Sequence, residues 1–336
     1  MDELVTVLLS DGKPGHYHLA EGICAAIARR RPLAITRVEV RRPWWVPGRV
    51  LSAMTNLEGG AGQVPRLLGY GELPVEVCGL VVSAGGDTLA ANVALARRYG
   101  CPNIFYGSLR RYQPADFALV LTSYAANAGR ENHAMTLKPS AFDPDALPVR
   151  TLRASGEVTL GLLIGGDSGT VRYSAADWER MLGLLAGGAG APNWIVSNSR
   201  RTPDAVSDGL AGLAAREPGR VSFIDVRAVG AAALSTLFAS SDAVAVSVDS
   251  SSMVSEAVWA RRPVVALVPE QSGLPELEQG YRDYLAAQGW VARIDLKGAT
   301  AEAVVAAARG VRPIEANPLD QLGELIGARL PGLMKG

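Results

Sequence analysis

Three consecutive serines, Ser250, Ser251 and Ser252, follow Ser247 and Asp249 at the end of an apolar run and open a helical pattern that carries Glu256. Residues 244–267 read as strand, hydroxyl-rich turn, helix and strand, which puts the serines at a helix N-terminus. Unpaired backbone N–H groups and the helix dipole favour an anion such as phosphate there. If Ser252 is the N-cap, a capping box needs an acid or amide where Ser255 stands, so Glu256 has no capping task and is free to bind sugar hydroxyls. Any βαβ unit has a polar turn at this place, and serine is a favoured cap. One cap uses one hydroxyl, however, and this turn supplies several at the carboxyl edge of a parallel sheet, where ligands bind.

The first apolar run ends in SDGKPGHYHLAEGI, a Gly and Pro turn that is neither a phosphate-binding GxxxxGK[ST] loop nor a GxGxxG fingerprint. His16 stands at its mouth. Histidine is the side chain that titrates near neutrality, so His16 suits a general base for a hydroxyl; a solvated turn residue is the other reading. His18 and His133 give weak support for a metal pair. Two further turns, with Gly85 and Gly86 in SAGGDT and Gly165 and Gly166 in LIGGDSGT, can present backbone amides. The GDSG string does not signal a serine protease, because that chemistry needs a partner His and Asp on a different architecture. VSNSRRTP brings Ser197, Ser199, Arg200, Arg201 and Thr202 to a strand end, where an arginine fork either pairs with a diphosphate or faces solvent.

These loops require strands to hold them. Leu4–Leu9, Ile35–Val40, Leu80–Ser83, Asn103–Tyr106 and Phe117–Leu121 read as strands, separated by helical stretches such as Leu89–Tyr99. The Pro-bearing stretch Pro139 to Pro148 reads as a linker. Alternation resumes at Thr159–Ile164 and continues through Trp194–Ser197, Val221–Ile224, Ala243–Val248 and Val264–Val268, before a final helix over Leu319–Leu330. Two doubly wound parallel-sheet domains are expected, and 336 residues suffice for both. Lys plus Arg equals Asp plus Glu at 33 each, so no basic excess points to nucleic acid. Cys24, Cys78 and Cys101 are odd in number and lack CxxC spacing, which argues against a disulfide framework or zinc site and fits a reducing cytoplasm. Asp2 and Glu3 precede an apolar run too short for a signal peptide, and no apolar run approaches membrane-spanning length.

DGKPGH, SRRTP and DSSSMVSEA followed by RRPVVAL resemble, in order and across nearly the whole chain, bacterial members of the mitochondrial fission ELM1 family. That family is similar to GT-B nucleotide-sugar glycosyltransferases of the MurG type. The resemblance implies an α/β, GT-B-like fold of two Rossmann-like domains facing a central cleft: 1–147 on the acceptor side, 148–316 on the donor side, and 317–336 as a helix packing back on the first domain. It implies acceptor contacts for Asp11, Gly12, Lys13, Gly15 and His16, with Gly85, Gly86 and Asn127 beside them. Glu256 would take the ribose hydroxyls, and Gly165, Gly166, Ser197, Ser199, Arg200, Arg201, Asp249, Ser250, Ser251, Ser252 and Met253 would surround the nucleotide. Two departures stand out. The family's Gly-Arg-Arg-Thr turn is Gly85, Gly86, Asp87, Thr88 here, and TSYAANAGRENHAM keeps Asn127 without the Pro-x-His-Asp opening.

The expected activity is metal-independent glycosyl transfer from a nucleoside-diphosphate sugar, with no cofactor, to a glycan or lipid-linked acceptor hydroxyl. A nucleotide-sugar epimerase of the same fold and a non-enzymatic interaction scaffold are the alternatives. The Asp143–Asp145 pair lies in the linker and reads as a turn rather than a metal-binding Asp-x-Asp motif. RRPWWVPGRVL, with Arg29, Arg30 and Arg31 added, either contacts an anionic membrane at its cytoplasmic face or packs Trp44 and Trp45 onto the core.

Overall fold

The structure is a computed structural model and describes residues 2–40, 42, 44–57, 76–152, 157–169, 171–187, 190–230 and 234–335. The chain divides into two compact units, Met1–Phe142 with Pro318–Gly336, and Asp143–Asn317. The boundary falls inside the stretch expected as a linker. There Asp143 and Asp145 flank a single turn closed by Asn317, whose Nδ2 donates to both carboxylates at 2.8 Å.

The first unit holds a parallel sheet of β1 (Leu4–Ser10), β2 (Leu33–Glu39), β3 (Leu80–Ala84), β4 (Asn103–Tyr106), β5 (Leu119–Thr122) and β6 (His133–Met135), ordered β2-β1-β3-β4-β5-β6. Every residue of β3, β4 and β5 is buried, which is why they read as unbroken apolar runs. The edge strand β2 instead alternates with exposed residues. The order reverses between β1 and β3, so the loops leaving their carboxyl ends diverge and open a crevice.

Helix Pro318–Arg329 belongs to this unit and packs on helix Pro14–Ala28. It buries Leu319, Leu322 and Ile326, and Gly323 admits the carbonyl of Ala26, which a Cβ would meet at 2.7 Å. Arg29 pairs with Asp320 at 2.8 Å, Arg30 with Glu324 at 3.0 Å, and Arg31 donates to the Leu333 carbonyl. These three arginines therefore serve the C-terminal segment at the amino edge of the sheet. They do not join Arg42 and Arg49, which follow the carboxyl end of β2.

The second unit holds β7 (Thr159–Leu163), β8 (Val171–Arg172), β9 (Asn193–Ser197), β10 (Val221–Ile224), β11 (Ala243–Ser247), β12 (Val264–Val268), β13 (Gln271–Ser272) and β14 (Val291–Asp295). The main parallel sheet runs β10-β9-β7-β11-β12-β14, and β8 pairs with β13 in a small antiparallel ribbon. Its core includes Leu160, Leu162, Trp194, Val196, Ala245 and Leu267. Here the order reverses between β7 and β11, directly below the LIGG and VDSSS turns. β6 and β14 extend the sheets beyond the strands expected from sequence.

Cys24, Cys78 and Cys101 are free thiols. The Cys101 thiol donates to Cys78 Sγ at 3.8 Å, and that hydrogen bond holds the Cys78 thiol below its ordinary range. Distant sequence positions meet because each residue lies just before a strand of the same sheet, β3 or β4.

Candidate ligand sites at the carboxyl edges of the two sheets

In the first unit, β1 ends at Ser10, and Gly12 takes φ +75°, a left-handed conformation that glycine adopts at little cost. The turn redirects the chain into helix Pro14–Ala28, with Pro14 at its first position. His16 thus falls in the first helical turn. Its Nδ1 lies 2.7 Å from Oδ2 of Asp11, whose side chain is buried while the imidazole is 37% exposed. The ring rests over Gly85, which has φ +91°; a Cβ there would lie 2.3 Å from His16 Nδ1. Lys13 Nζ sits 3.0 Å from Asp87 and 3.6 Å from Asp11. A Cβ at Gly15 meets nothing within 4 Å, so that glycine faces open space. Asn127 lies in the short helix after β5, with no side-chain hydrogen bond among the described residues.

Beside this cluster, a cavity of about 260 Å³ is lined by Arg42, Arg49, Arg110, Arg111, Asp87 and Tyr112, with Gly86 in its wall. The arginines arrive from the loops after β2 and β4 and from the start of helix Gly48–Leu57. The glycine of the GGDT turn has a steric reason: a Cβ on Gly86 would lie 2.4 Å from the Arg110 guanidinium carbon. The turn lacks the cations of a Gly-Arg-Arg-Thr sequence, yet arginines from other loops surround it.

In the second unit, β7 ends at the glycine turn and β11 at Asp249. Gly165 N–H donates to the buried Ser247 hydroxyl at 2.7 Å, and Gly166 N–H to Asp249 Oδ2 at 3.2 Å. Asp249 also accepts from Tyr173 at 2.9 Å and from Arg201 at 2.7 Å. Desolvation and the Asp249 charge push the Tyr173 phenol well above its ordinary range. Thr202 donates to the Gly165 carbonyl at 2.6 Å, and Ser199 Oγ accepts from Arg201 N–H at 3.1 Å. Several of the groups expected to face a ligand are thus already paired within the loops. The Gly165 and Gly166 amides, Ser199, Arg201 and Asp249 are engaged within the loops, because the turns satisfy one another's buried polar groups. Ser197 is buried outright and donates to the Asn198 carbonyl.

The helix following β11 runs Ser251–Trp259, and its N-cap is Ser250 rather than Ser252. The Ser250 hydroxyl accepts from Met253 N–H at 3.3 Å. The Ser251 hydroxyl is held by Arg282 at 2.7 Å and bonds Glu278. Arg282, itself buried, anchors to the Val248 carbonyl. Among the described residues, the backbone N–H groups of Ser251 and Ser252 and the guanidinium of Arg200 have no hydrogen-bond partner. Glu256 is partly exposed, and desolvation pushes its carboxyl up to about 7. No partner satisfies that carboxyl among the described residues.

Trp44 and Trp45 are 92% and 65% exposed, so the reading that packs them into the core is corrected. Val46, the next residue, enters the core with Phe105 and Val120 instead. Among the described residues, no helix is long and apolar enough to cross a membrane.

The family model described as mitochondrial fission ELM1 matches residues 14–322. No curated protein matches the chain in sequence. Among solved structures, the fold is similar to that of MurG from Acinetobacter baumannii, at 13% identity and TM-score 0.50, covering 97% of this chain and 100% of that one. It is similar to the kitacinnamycin glycosyltransferase at 14% identity and TM-score 0.53, covering 99% and 98%. It is also similar to the UDP-GlcNAc 2-epimerase of Methanocaldococcus jannaschii at 12% identity and TM-score 0.52, covering 98% and 100%. At these identities the likeness establishes a GT-B-type fold shared by transferases and epimerases.

Proposed function

The chain belongs to the mitochondrial fission ELM1 family, and on that premise we propose that it moves a glycosyl group from a nucleoside-diphosphate sugar to an acceptor hydroxyl without a metal. The observation that carries this reading is Glu256. A desolvated, partly exposed carboxyl with no partner among the described residues, on the helix that follows β11 at the topological switch point of a parallel sheet, fits a pair of ribose hydroxyls that would donate to it. The unpaired Ser251 and Ser252 amides at the same helix N-terminus, with Arg200 nearby in sequence to the β9 turn, would take the diphosphate.

On this reading, Asp11 holds His16 with its proton on Nδ1, since a carboxylate only accepts, and leaves Nε2 as the base. The acceptor O–H proton passes to Nε2. The oxygen forms a bond to the anomeric carbon, and the bond from that carbon to the diphosphate oxygen breaks with its electron pair on the leaving nucleotide. The charge developing there is stabilised by the amides and Arg200. The exposed Trp44 and Trp45 further support contact of the first unit with an anionic membrane, as a lipid-linked acceptor would require.

Titrating UDP, GDP, ADP and CMP by calorimetry against wild type and Glu256→Ala tests the donor assignment. Binding by wild type and a loss of roughly ten- to hundred-fold in the variant is expected. Absence of binding at millimolar nucleotide, or equal binding by the variant, removes it. Turnover of a bound nucleotide sugar to its epimer without any acceptor would replace transfer by epimerisation.

A further inference from the structure

The arginine-lined cavity of the first unit has no task in the chemistry above. Arg42 is fixed, with Nε 3.1 Å from Asp87 Oδ1 and Nη1 2.6 Å from the Val46 carbonyl. Asp87, the carboxylate in the wall, is thereby shared between Arg42 and Lys13, and these hydrogen bonds outweigh its burial to hold it below its ordinary range. The guanidinium groups of Arg49, Arg110 and Arg111 have neither a hydrogen bond nor an ion pair among the described residues. In a chain of zero net charge, three cations converge on one concavity, and among the described residues none has a neutralising partner of its own.

That arrangement opposes stability twice. Like charges around one hollow repel, and Arg110 adopts φ +54°, which side-chain-bearing residues rarely take. Gly86 gives up a side chain at the point where the Arg110 guanidinium seats. A volume of about 260 Å³ is room enough for phosphoryl oxygens. Planar guanidinium forks bind such oxygens in pairs.

We infer that this cavity binds a phosphoryl group, with Arg49, Arg110 and Arg111 as its donors and Arg42 as the fixed wall. The substrate class that follows is a phosphorylated acceptor, carried as a lipid phosphate or as a soluble phosphate ester. Assigning the phosphate to the acceptor rests on the glycosyl-transfer reading, whereas its binding does not. Asp87 also couples the cavity to the catalytic edge, because its carboxylate joins Arg42 in the cavity wall to Lys13 beside Asp11.

Inorganic pyrophosphate is titrated by calorimetry into wild type, Arg110→Ala/Arg111→Ala, Gly86→Ala and Arg200→Ala, and UDP into the same proteins. In parallel, vesicles of phosphatidylcholine with and without phosphatidylglycerol are sedimented with each. The double arginine variant is expected to lose pyrophosphate or phosphatidylglycerol-vesicle binding by roughly ten-fold or more. It should bind UDP as wild type does. Gly86→Ala, whose added Cβ displaces only the end of a flexible side chain, should reproduce part of that loss while remaining folded. Loss confined to pyrophosphate marks a soluble ester, and loss confined to vesicles marks a lipid phosphate. Failure of wild type to bind either probe overturns the inference, as does equal binding by the double variant or loss in Arg200→Ala alone. If UDP fails to bind while the arginine-dependent binding persists, the donor reading falls and the phosphoryl site stands.

Discussion

His16 Nδ1 and Asp11 Oδ2 lie 2.7 Å apart at the end of the interior strand β1, the carboxylate inside and the ring at the surface. The pair arises from five residues of chain: Gly12 turns the backbone with a positive φ, Pro14 starts the helix, and His16 is brought back over the residue that ended the strand. A buried carboxylate fixing one ring nitrogen is what a general base needs to present the other.

His16→Ala should therefore bind donor nucleotide as wild type does and transfer about 10²–10⁴-fold more slowly. Asp11→Asn should also slow transfer, since an amide no longer dictates which ring nitrogen carries the proton. Gly85→Ala provides the positional control: its Cβ would collide with the ring, so the rate should fall with the imidazole still present. Steady-state transfer rates alongside calorimetric donor affinities separate these effects. Wild-type transfer by His16→Ala excludes the role.

Glu256 predicts a pH dependence with a definite sign. Burial raises its carboxyl from an ordinary value of 4.5 to about 7, so the folded state holds a proton between those limits that the unfolded state has released. The favourable contribution is complete below about pH 4.5 and is lost as pH rises through about 7. Wild type should therefore lose about 1–3 kcal/mol relative to Glu256→Gln across that window, as measured by urea unfolding. Ribose hydroxyls donating to the carboxylate favour its ionised form. Nucleotide binding near pH 6 should then release a proton, seen as a dependence of calorimetric heat on buffer ionisation enthalpy. A pH-independent stability difference between the two proteins would remove the raised Glu256 carboxyl.

Arg201 and Asp249 are expected to act on the fold before they act on any ligand. Asp249 is wholly buried and Arg201 half exposed, so Arg201→Ala strands a buried carboxylate with only Gly166 N–H and Tyr173 to satisfy it. A loss of about 2–4 kcal/mol in unfolding free energy is expected, the cost of breaking one side of a buried pair. Nucleotide affinity of the protein that remains folded should change little. Arg200→Ala should show the opposite pattern, unchanged stability and weakened binding. Matching effects from the two variants would return both arginines to the same surface role.

Much of this architecture was legible because strands buried on both faces read as unbroken apolar runs, as Leu80–Ala84 and Ala243–Ser247 do. The edge strand β14, VARID, places polar residues on its outer positions, and β6 has only three residues, so neither carried that signal. The candidate loops could be located because they follow strands. Their internal pairings could not, because Asp249 chooses between Arg201 and a ligand only once β7, β9 and β11 are adjacent. The arginine cavity was hidden for the same reason: Arg42, Arg49, Arg110 and Arg111 come from separate loops, and only the sheet order gathers them. The sequence argument for Glu256 took Ser252 as the cap, whereas Ser250 caps the helix, because which serine starts a helix depends on where the preceding strand ends.

The membrane expectation gains a geometric form from helix Gly48–Leu57. Val50, Met54 and Leu57 are exposed at spacings of four and three, which places them along one helix face. Trp44 and Trp45 precede that face in the same segment, and Arg49 follows them in the first helical turn, whereas Arg42 is held by Asp87 and the Val46 carbonyl. Exposed tryptophan beside an apolar stripe matches residues that settle at the bilayer interface, and each nearby arginine adds about 1 kcal/mol near anionic lipid. Arg29, Arg30 and Arg31 do not contribute, since they hold the C-terminal helix through Asp320, Glu324 and the Leu333 carbonyl. Co-sedimentation with vesicles should therefore require anionic lipid, fall with added salt, and drop when Trp44 and Trp45 are both replaced by Ser. Replacing Arg30 by Ala should leave it unchanged. Because both tryptophans are exposed, the double variant should unfold at the wild-type urea concentration. A large loss of stability in that variant would restore the core reading, and vesicle binding unaffected by it would place the membrane contact elsewhere.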